Sequence, residues 1–467
     1  MNDQVFKLLW LSGHILFTLG ATYYIFVLIP AYIGGRKHYI TNCALTNEDI
    51  QKILDEKGLK QIPIFKFQIT TRGKETDVVL RGIKSLIKLT EEDIFKDRIR
   101  VDVVTEVDED KIIIEEELKV WNIPLNFYVV PPDYKTAKKT LRKARALHYM
   151  IEKRNEESGE RGYIFYLDAE SVIEDIDFRR IVFNIIKEGK KVTEGPIVYP
   201  LGWFNTNIIS RQMEANRPWN CYHCHKVMTN PPPQHLHGSN LVVEENLALE
   251  LGWDFGNIDG QAFIAEDIIF GLQAYLKYGG DIFGWHGGEI LEQPPISIKD
   301  SIRQRVRWVT GVWQALEMLK RSKDFNKLKN REKYSLRTRI GYRTILYSLG
   351  FIAWLFFFLF SYVWARAIIN YFFFPSDEYS EETSSIIFNI WSFILIPGLI
   401  MWLVSTQIGL SRILERMDIS KGSKIIEHLK ILFITPVAAG VETYGAFIAT
   451  LRWFLGFRKV EWIPTKK

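Results

Sequence analysis

Two carboxylates spaced by two residues, Asp168 and Glu170, close the apolar run Tyr163–Leu167. At a strand end both can turn into one crevice, where hard oxygen ligands suit a divalent cation and the diphosphate it holds. Ordinary solvated acids at a strand end look the same, so this pair alone does not decide the matter. A second acid pair, Glu266 and Asp267, enters the amphipathic stretch Ile268–Tyr278. A carboxylate there can act as a general base, or simply complement the dipole of a helix N-terminus. The third group is Gln304, Arg307 and Trp308, written as Gln-x-x-Arg-Trp with Arg305 between, on a helix that mixes basic and aromatic residues. Guanidinium groups make bidentate contacts to phosphate oxygens, and indole rings offer flat apolar faces. A basic amphipathic helix beside a membrane contains the same residues for no chemical reason.

A fourth group joins cysteines and histidines. Cys221 and Cys224 form Cys-x-x-Cys, and His235 and His237 follow after Asn230-Pro-Pro-Pro. These are four potential zinc ligands, and on an extended Gln234–Gly238 the two imidazoles share one face. The alternative, which the sequence favours, has the cysteines packing in a core while His235 or His237 lines a channel beside Gly238 and Ser239.

The elements that must position these residues alternate. Apolar strands are expected at Ile64–Thr70, Arg100–Thr105, Leu125–Val130 and Tyr163–Leu167, separated by helical segments such as Asp77–Leu89. Strand-helix alternation predicts a doubly wound sheet whose ligand lies beyond the strand carboxyl ends. Neither Gly-x-Gly-x-x-Gly nor the phosphate-binding Gly-x-x-x-x-Gly-Lys-Ser/Thr follows the first strand, which removes most support for a dinucleotide oxidoreductase or a P-loop hydrolase.

The 467 residues include 60 basic and 55 acidic ones, so the net charge is only +5, and 47% are hydrophobic. Such a balance neither marks a disordered tail nor calls for nucleic acid as a partner. Three cysteines cannot build a disulfide framework. The 14 Trp, 20 Tyr and 30 Phe collect towards the ends of the chain. Leu8–Pro30, Thr344–Ala365 and Ile386–Ser411 carry no Asp, Glu, Lys or Arg, and roughly 20 apolar residues in a helix span a bilayer core. The first runs on into Gly34, Gly35, Arg36 and Lys37 rather than a cleavage site, and reads as a retained anchor. Lys320–Arg343 holds ten basic and two acidic residues, whereas Ala367–Ser385 holds four acidic and none basic. Because Lys and Arg stay on the cytoplasmic side, this asymmetry places the central segment in the cytoplasm of an integral membrane protein. Ile431–Phe457 is interrupted by Pro436, Glu442 and Arg452 and is expected as two short interfacial or re-entrant helices, with a single tilted fourth span as the alternative. The domains expected are an anchor at 1–35, a cytoplasmic domain at 36–340, two transmembrane helices at 341–412, and interfacial or re-entrant helices with a cytoplasmic C-terminus at 413–467.

In their order and spacing, Asp168/Glu170, Glu266-Asp267 and Gln304–Trp308 resemble the motif series of the family 2 glycosyltransferases, the inverting, membrane-bound group that includes cellulose synthase. Thr70–Gly73, Val130–Tyr134, Lys143–Leu147, Gly238-Ser239 and Gly256–Gly260 are similar to segments of the egghead-type β-1,4-mannosyltransferases of animals. Glu170 stands where many relatives have a second Asp, and Cys221–His225 lies outside the resemblance. The resemblance implies an α/β fold of the GT-A type, a Rossmann-like, doubly wound mixed sheet, plus transmembrane helices. It implies Asp267 as general base with Glu266 beside it, and Asp168 and Glu170 holding Mg²⁺ or Mn²⁺, with His286 as a third ligand. Thr71, Arg72, Glu106 and Lys143 are assigned to the nucleotide pocket. Gln304, Arg307 and Trp308 are placed on the donor, with Arg305 as a further phosphate contact and Trp285 as a second stacking face. A nucleotide-sugar donor, GDP-mannose before UDP-glucose, and a lipid-linked acceptor at the bilayer follow. The alternatives are a processive polysaccharide synthase and a membrane-anchored nucleotide-sugar-binding protein.

Overall fold

The computed structural model of the chain describes residues 15–16, 18–42, 46–73, 76–119, 124–229, 236–258, 260–373 and 396–458. A helical segment, α1 (Thr18–Thr41), opens it. Next comes α2 (Asn47–Lys57), started by a capping box between Thr46 and Asp49 and stopped by Gly58 at φ 66°. The sheet then builds through β1 (Phe65–Thr70), α3 (Thr76–Glu91), β2 (Ile99–Thr105), α4 (Glu109–Leu118), β3 (Leu125–Val129), α5 (Arg142–Glu156) and β4 (Tyr163–Asp168). The short β5 (Val172–Ile173), α6 (Asp175–Glu188), β6 (Val192–Glu194), β7 (Ile197–Val198), α7 (Ile208–Ala215), α8 (Arg217–Thr229) and β8 (Leu241–Glu244) follow. After α9 (Glu245–Leu251) and the hairpin β9 (Asn257–Ile258) and β10 (Gln261–Ala262) come α10 (Glu266–Tyr278), β11 (Phe283–Trp285) and β12 (Ile290–Leu291). The chain ends in helices: α11 (Ile298–Arg321), α12 (Lys323–Lys327), α13 (Asn330–Phe373), α14 (Ile396–Glu415) and α15 (Lys421–Phe454).

Seven strands form the main sheet in the order β11-β6-β8-β4-β1-β2-β3. Only β8 runs against its neighbours β4 and β6, so the sheet is mixed and doubly wound, as the sequence implied. Helices cover both faces, which is why β1 and β4 are buried almost end to end rather than alternating. Phe65, Phe67, Phe165 and Phe178 fill the core on one side, and Tyr166, Trp253, Phe270 and Trp285 on the other. Register does the functional positioning. Thr70 pairs with both Val104 and Asp168, so the carboxyl ends of β1, β2 and β4 finish level and open one crevice.

The strand boundaries agree with the sequence reading to within a residue. The C-terminal region differs. Instead of two short helices, Ile431–Phe457 belongs mostly to one continuous helix, α15, which runs through Pro436. Its small residues Ala438, Gly440, Gly445, Ala446 and Ala449 let it lie close against α7, α11 and α13, and this packing outweighs the cost of the proline. A Cβ at Gly445 would stand 2.8 Å from the Cβ of Arg305. Among the described residues, α1 and α15 are long and apolar enough to cross a membrane. Thr344–Ala365 lies within α13, and Ile386–Ser411 is described only from Ile396 onward, in α14. Residues 1–14, most of the acidic loop, His235, Lys459, Lys466 and Lys467 lie outside the described residues.

Candidate functional site

Five of the expected site residues meet at the carboxyl-end crevice. Lys143, in the first turn of α5, puts Nζ 2.5 Å from Asp168 Oδ1 and 3.7 Å from Glu266 Oε1, and donates to the Gly238 carbonyl at 3.1 Å. Glu266 and Asp267 form the first turn of α10, where Asp267 Oδ1 accepts from the Ile268 backbone at 2.8 Å. Gly238 brings the backbone close to both groups: a Cβ there would stand 3.1 Å from Asp267 Oδ2 and 3.4 Å from Lys143 Nζ. Arg307 faces the same charges, interacting with Asp168, Glu266 and Glu170.

Burial sets the electrostatics. It pushes Asp267 up to about 7, helped by the negative charge of Glu266 and opposed by Lys143 and His237. Glu266 is also raised by burial, against the pull of Lys143. Burial alone lowers a lysine, yet the Asp168 and Glu266 carboxylates hold Lys143 above its ordinary value.

A second carboxylate group adjoins the first. Asp168, Glu170 and Glu292 bring carboxylate oxygens within 4.8 Å of one another. Glu292 is nearly inaccessible, and its Oε1 accepts from Ser239 Oγ at 2.6 Å and from Ser171 Oγ at 3.0 Å. Three hard oxygen donors on a crevice wall fit a divalent cation. His286 is not part of this group. It is fully buried beside Phe165, its Nδ1 accepts from the Gly288 backbone at 3.2 Å, and burial lowers it to about 3. Glu292, and not His286, lies beside Asp168 and Glu170.

Other expectations are placed differently. Arg305 turns away from the crevice and is locked to Glu214 at 2.8 Å, to Gln304 Oε1 at 2.7 Å and to the Met213 carbonyl at 3.2 Å. Gln304 is thereby a buried partner of Arg305. The ring of Trp308 lies under the guanidinium groups of Arg217 and Arg305, 4.0 and 4.7 Å from its centroid. Trp285 is fully buried against Tyr222, His38 and His225, so it presents no face to a sugar. Thr71 is buried after β1 and accepts from Gly73 N at 3.1 Å, with Arg72 exposed next to it. Glu106, after β2, pairs with Arg145 at 2.7 Å.

Glu292 escaped the sequence reading because a single acid after a two-residue strand carries no motif. It reaches the site through the pairing of β12 with β5 and β7. Glu194 escaped for the same reason: it ends β6 and accepts from the His237 backbone at 2.9 Å.

Comparison with known proteins identifies the family. The family described as glycosyl transferase family group 2 matches residues 163–405, just over half of the chain. The β-1,4-mannosyltransferase egh of Drosophila melanogaster is 26% identical over 260 residues, 54% of this chain and 52% of that protein. The β-1,4-mannosyltransferase bre-3 of Caenorhabditis elegans is 27% identical over 259 residues, again 54% and 52%. The chain thus spans about half the length of the curated relatives it matches. The crystal structure of S. aureus TarS 1–349 is similar at 12% identity and a TM-score of 0.36, covering 84% of this chain and 92% of that one. The family match runs through β4, α10 and α11, the elements that carry Asp168, Glu266, Asp267 and Arg307, and this chain belongs to glycosyl transferase family group 2.

Proposed function

We propose that the protein is an inverting glycosyltransferase that moves mannose from GDP-mannose, in β linkage, onto a lipid-linked acceptor at a membrane surface. The observation that carries this reading is the meeting of Lys143, Asp168, Glu266 and Asp267 around Gly238 at the carboxyl ends of β1, β2 and β4. Mannose as the sugar is supported by the two similar β-1,4-mannosyltransferases.

In this reaction the acceptor oxygen bonds to the anomeric carbon as the bond from that carbon to the diphosphate oxygen breaks on the opposite face. The bonding pair leaves on the diphosphate. The hydroxyl proton passes to Asp267, whose value of about 7 suits a base working near neutrality. Glu266 stays next to Lys143 and orients the first turn of α10. Lys143 and Arg307 face the leaving diphosphate with fixed positive charge. Mg²⁺ or Mn²⁺ held by Asp168, Glu170 and Glu292 would supply Lewis-acid stabilisation of that charge. Thr71, Arg72 and Glu106 line the approach for the nucleotide.

The membrane reading rests on the helices. α1 and α15 have the length and composition of membrane segments. One face of α15 packs on α7 and α11, while Phe433, Val437 and Phe454 stay exposed on the other, Phe433 at 79%. We read α15 as lying along the bilayer surface beneath a cytoplasmic catalytic domain, with α1 and α13 as anchors and Lys320–Arg343 against anionic headgroups. A lipid-linked acceptor then meets the crevice without leaving the bilayer.

The direct test is to incubate the purified full chain with membranes, Mn²⁺ and labelled GDP-mannose, and to extract into organic solvent. Label in a single lipid product is expected. Label from UDP-glucose but not from GDP-mannose overturns the donor assignment, and a ladder of products overturns single addition.

A further inference from the structure

Behind the crevice, three separate elements bring together side chains that the sugar-transfer chemistry does not use. Cys221 and Cys224 lie one turn apart on α8, Glu194 ends β6, and His237 precedes the Gly238-Ser239 segment. All four are buried and neither cysteine is in a disulfide. Glu194, Cys224 and His237 present ligand atoms within 4.8 Å of one another. The Cys221 thiol is in hydrogen-bonding contact with both Cys224 and His237.

We propose that Cys221, Cys224, His237 and Glu194 form a structural zinc site. The imidazole is already oriented for it. His237 Nδ1 lies 3.0 Å from the Gly195 carbonyl, an acceptor that keeps an N–H on Nδ1 and turns Nε2 to the cysteine side, where a metal can displace its proton. Nε2 is 3.9 Å from Cys224 Sγ. Zinc bonds of about 2.3 Å to sulfur and about 2.0–2.1 Å to nitrogen, at the tetrahedral angle, put the two atoms about 3.6 Å apart. Two thiolates, one imidazole and one carboxylate match zinc and not the hard cations suited to Asp168, Glu170 and Glu292. With four protein ligands, all of them buried, the site is closed, as structural sites are. Binding releases the protons held by the thiol and imidazole groups that it coordinates.

The consequence for the crevice is mechanical. Zinc would tie α8, β6 and the His237–Ser239 segment together. Gly238 in that segment faces Asp267 and holds Lys143 through its carbonyl, and Ser239 donates to Glu292. Glu194 already grips the segment through the His237 backbone N–H.

The test is the metal content of the purified full chain in detergent after dialysis against EDTA, measured by mass spectrometry. On the order of one zinc per chain is expected. The Cys221→Ser/Cys224→Ser double variant should lose it, His237→Gln should lower it, and Asp168→Asn should retain it. Should the double variant fail to fold, wild-type protein produced in cobalt medium carries the test. It should show the thiolate-to-cobalt charge-transfer band and the intense visible bands of a tetrahedral site. Zinc-free wild-type protein, zinc unaltered by removal of both cysteines, a Cys221–Cys224 disulfide in the untreated chain, or cobalt protein without these bands would each overturn the proposal.

Discussion

Glu266 and Asp267 are neighbours in sequence with different surroundings. Glu266 stands beside Lys143, whereas Asp267 is held beside Gly238, where burial raises it to about 7. Asp267 is therefore neutral below about 7 and basic above it. We expect kcat/KM to climb with pH through about 7 and then level off, and Asp267→Asn to lower turnover by about 10²–10⁴-fold. The sign for stability is the reverse. A carboxyl group with a folded value above its unfolded one loses stability as pH rises between the two, so Asp267→Asn should melt no lower than wild type at pH 8. A large fall in Tm for that variant would make Asp267 a structural residue. Glu292→Gln should raise the Mn²⁺ concentration for half-maximal turnover by about tenfold or more, read by metal titration. Both acid pairs and Lys143 were visible in the sequence because their neighbours form motifs; Glu292 was invisible because sheet pairing alone brings it there.

Within α11, side chains divide by helical geometry. Residues 305 and 307 are about 200° apart around a helix of 3.6 residues per turn. Arg307 consequently faces the carboxylates while Arg305 points at Glu214 of α7 and at α15. One stretch thus supplies both a charge for the crevice and a bolt to the C-terminal helix. The Arg305–Glu214 pair is buried, and Glu214 also holds Arg217 at 3.2 Å. Removing one partner of a buried pair leaves an uncompensated charge, so Glu214→Gln should cost about 3–5 kcal/mol in thermal or denaturant unfolding. The sequence reading put Arg305 beside the donor phosphates because motif membership says nothing about which side of a helix faces the ligand.

Across the whole molecule, the apolar C-terminal helices are fastened to the sheet domain by charges. Arg412 of α14 binds Glu289 at 2.8 Å, and Arg416 binds Glu289 at 2.5 Å and Asp177 at 2.7 Å, with Glu174 as a further partner. Arg211 of α7 pairs with Glu427 of α15 at 2.6 Å. These pairs fix the C-terminal helices against the sheet domain. Replacing Phe433 and Phe454 together by Glu should raise the KM for acceptor presented in vesicles several-fold, while donor hydrolysis in detergent stays unaltered. Equal loss in both assays would place those side chains in folding rather than in membrane contact.

Strand-helix alternation, the uncharged apolar stretches and the three acidic or basic motifs are local patterns, written in periods of two and 3.6 residues. They were enough to determine a doubly wound sheet, its carboxyl-end crevice and the acid pairs Asp168/Glu170 and Glu266/Asp267. Only the tertiary structure decided that Glu292 rather than His286 joins Asp168, that Trp285 is core, that Arg305 is a bolt, and that Glu194 completes the cysteine-histidine cluster. Each of these depends on which strands pair, which side of a helix is covered, or how closely small residues let two helices approach. Those contacts join residues from about 30 to more than 200 positions apart, and no short-range period along the chain records them.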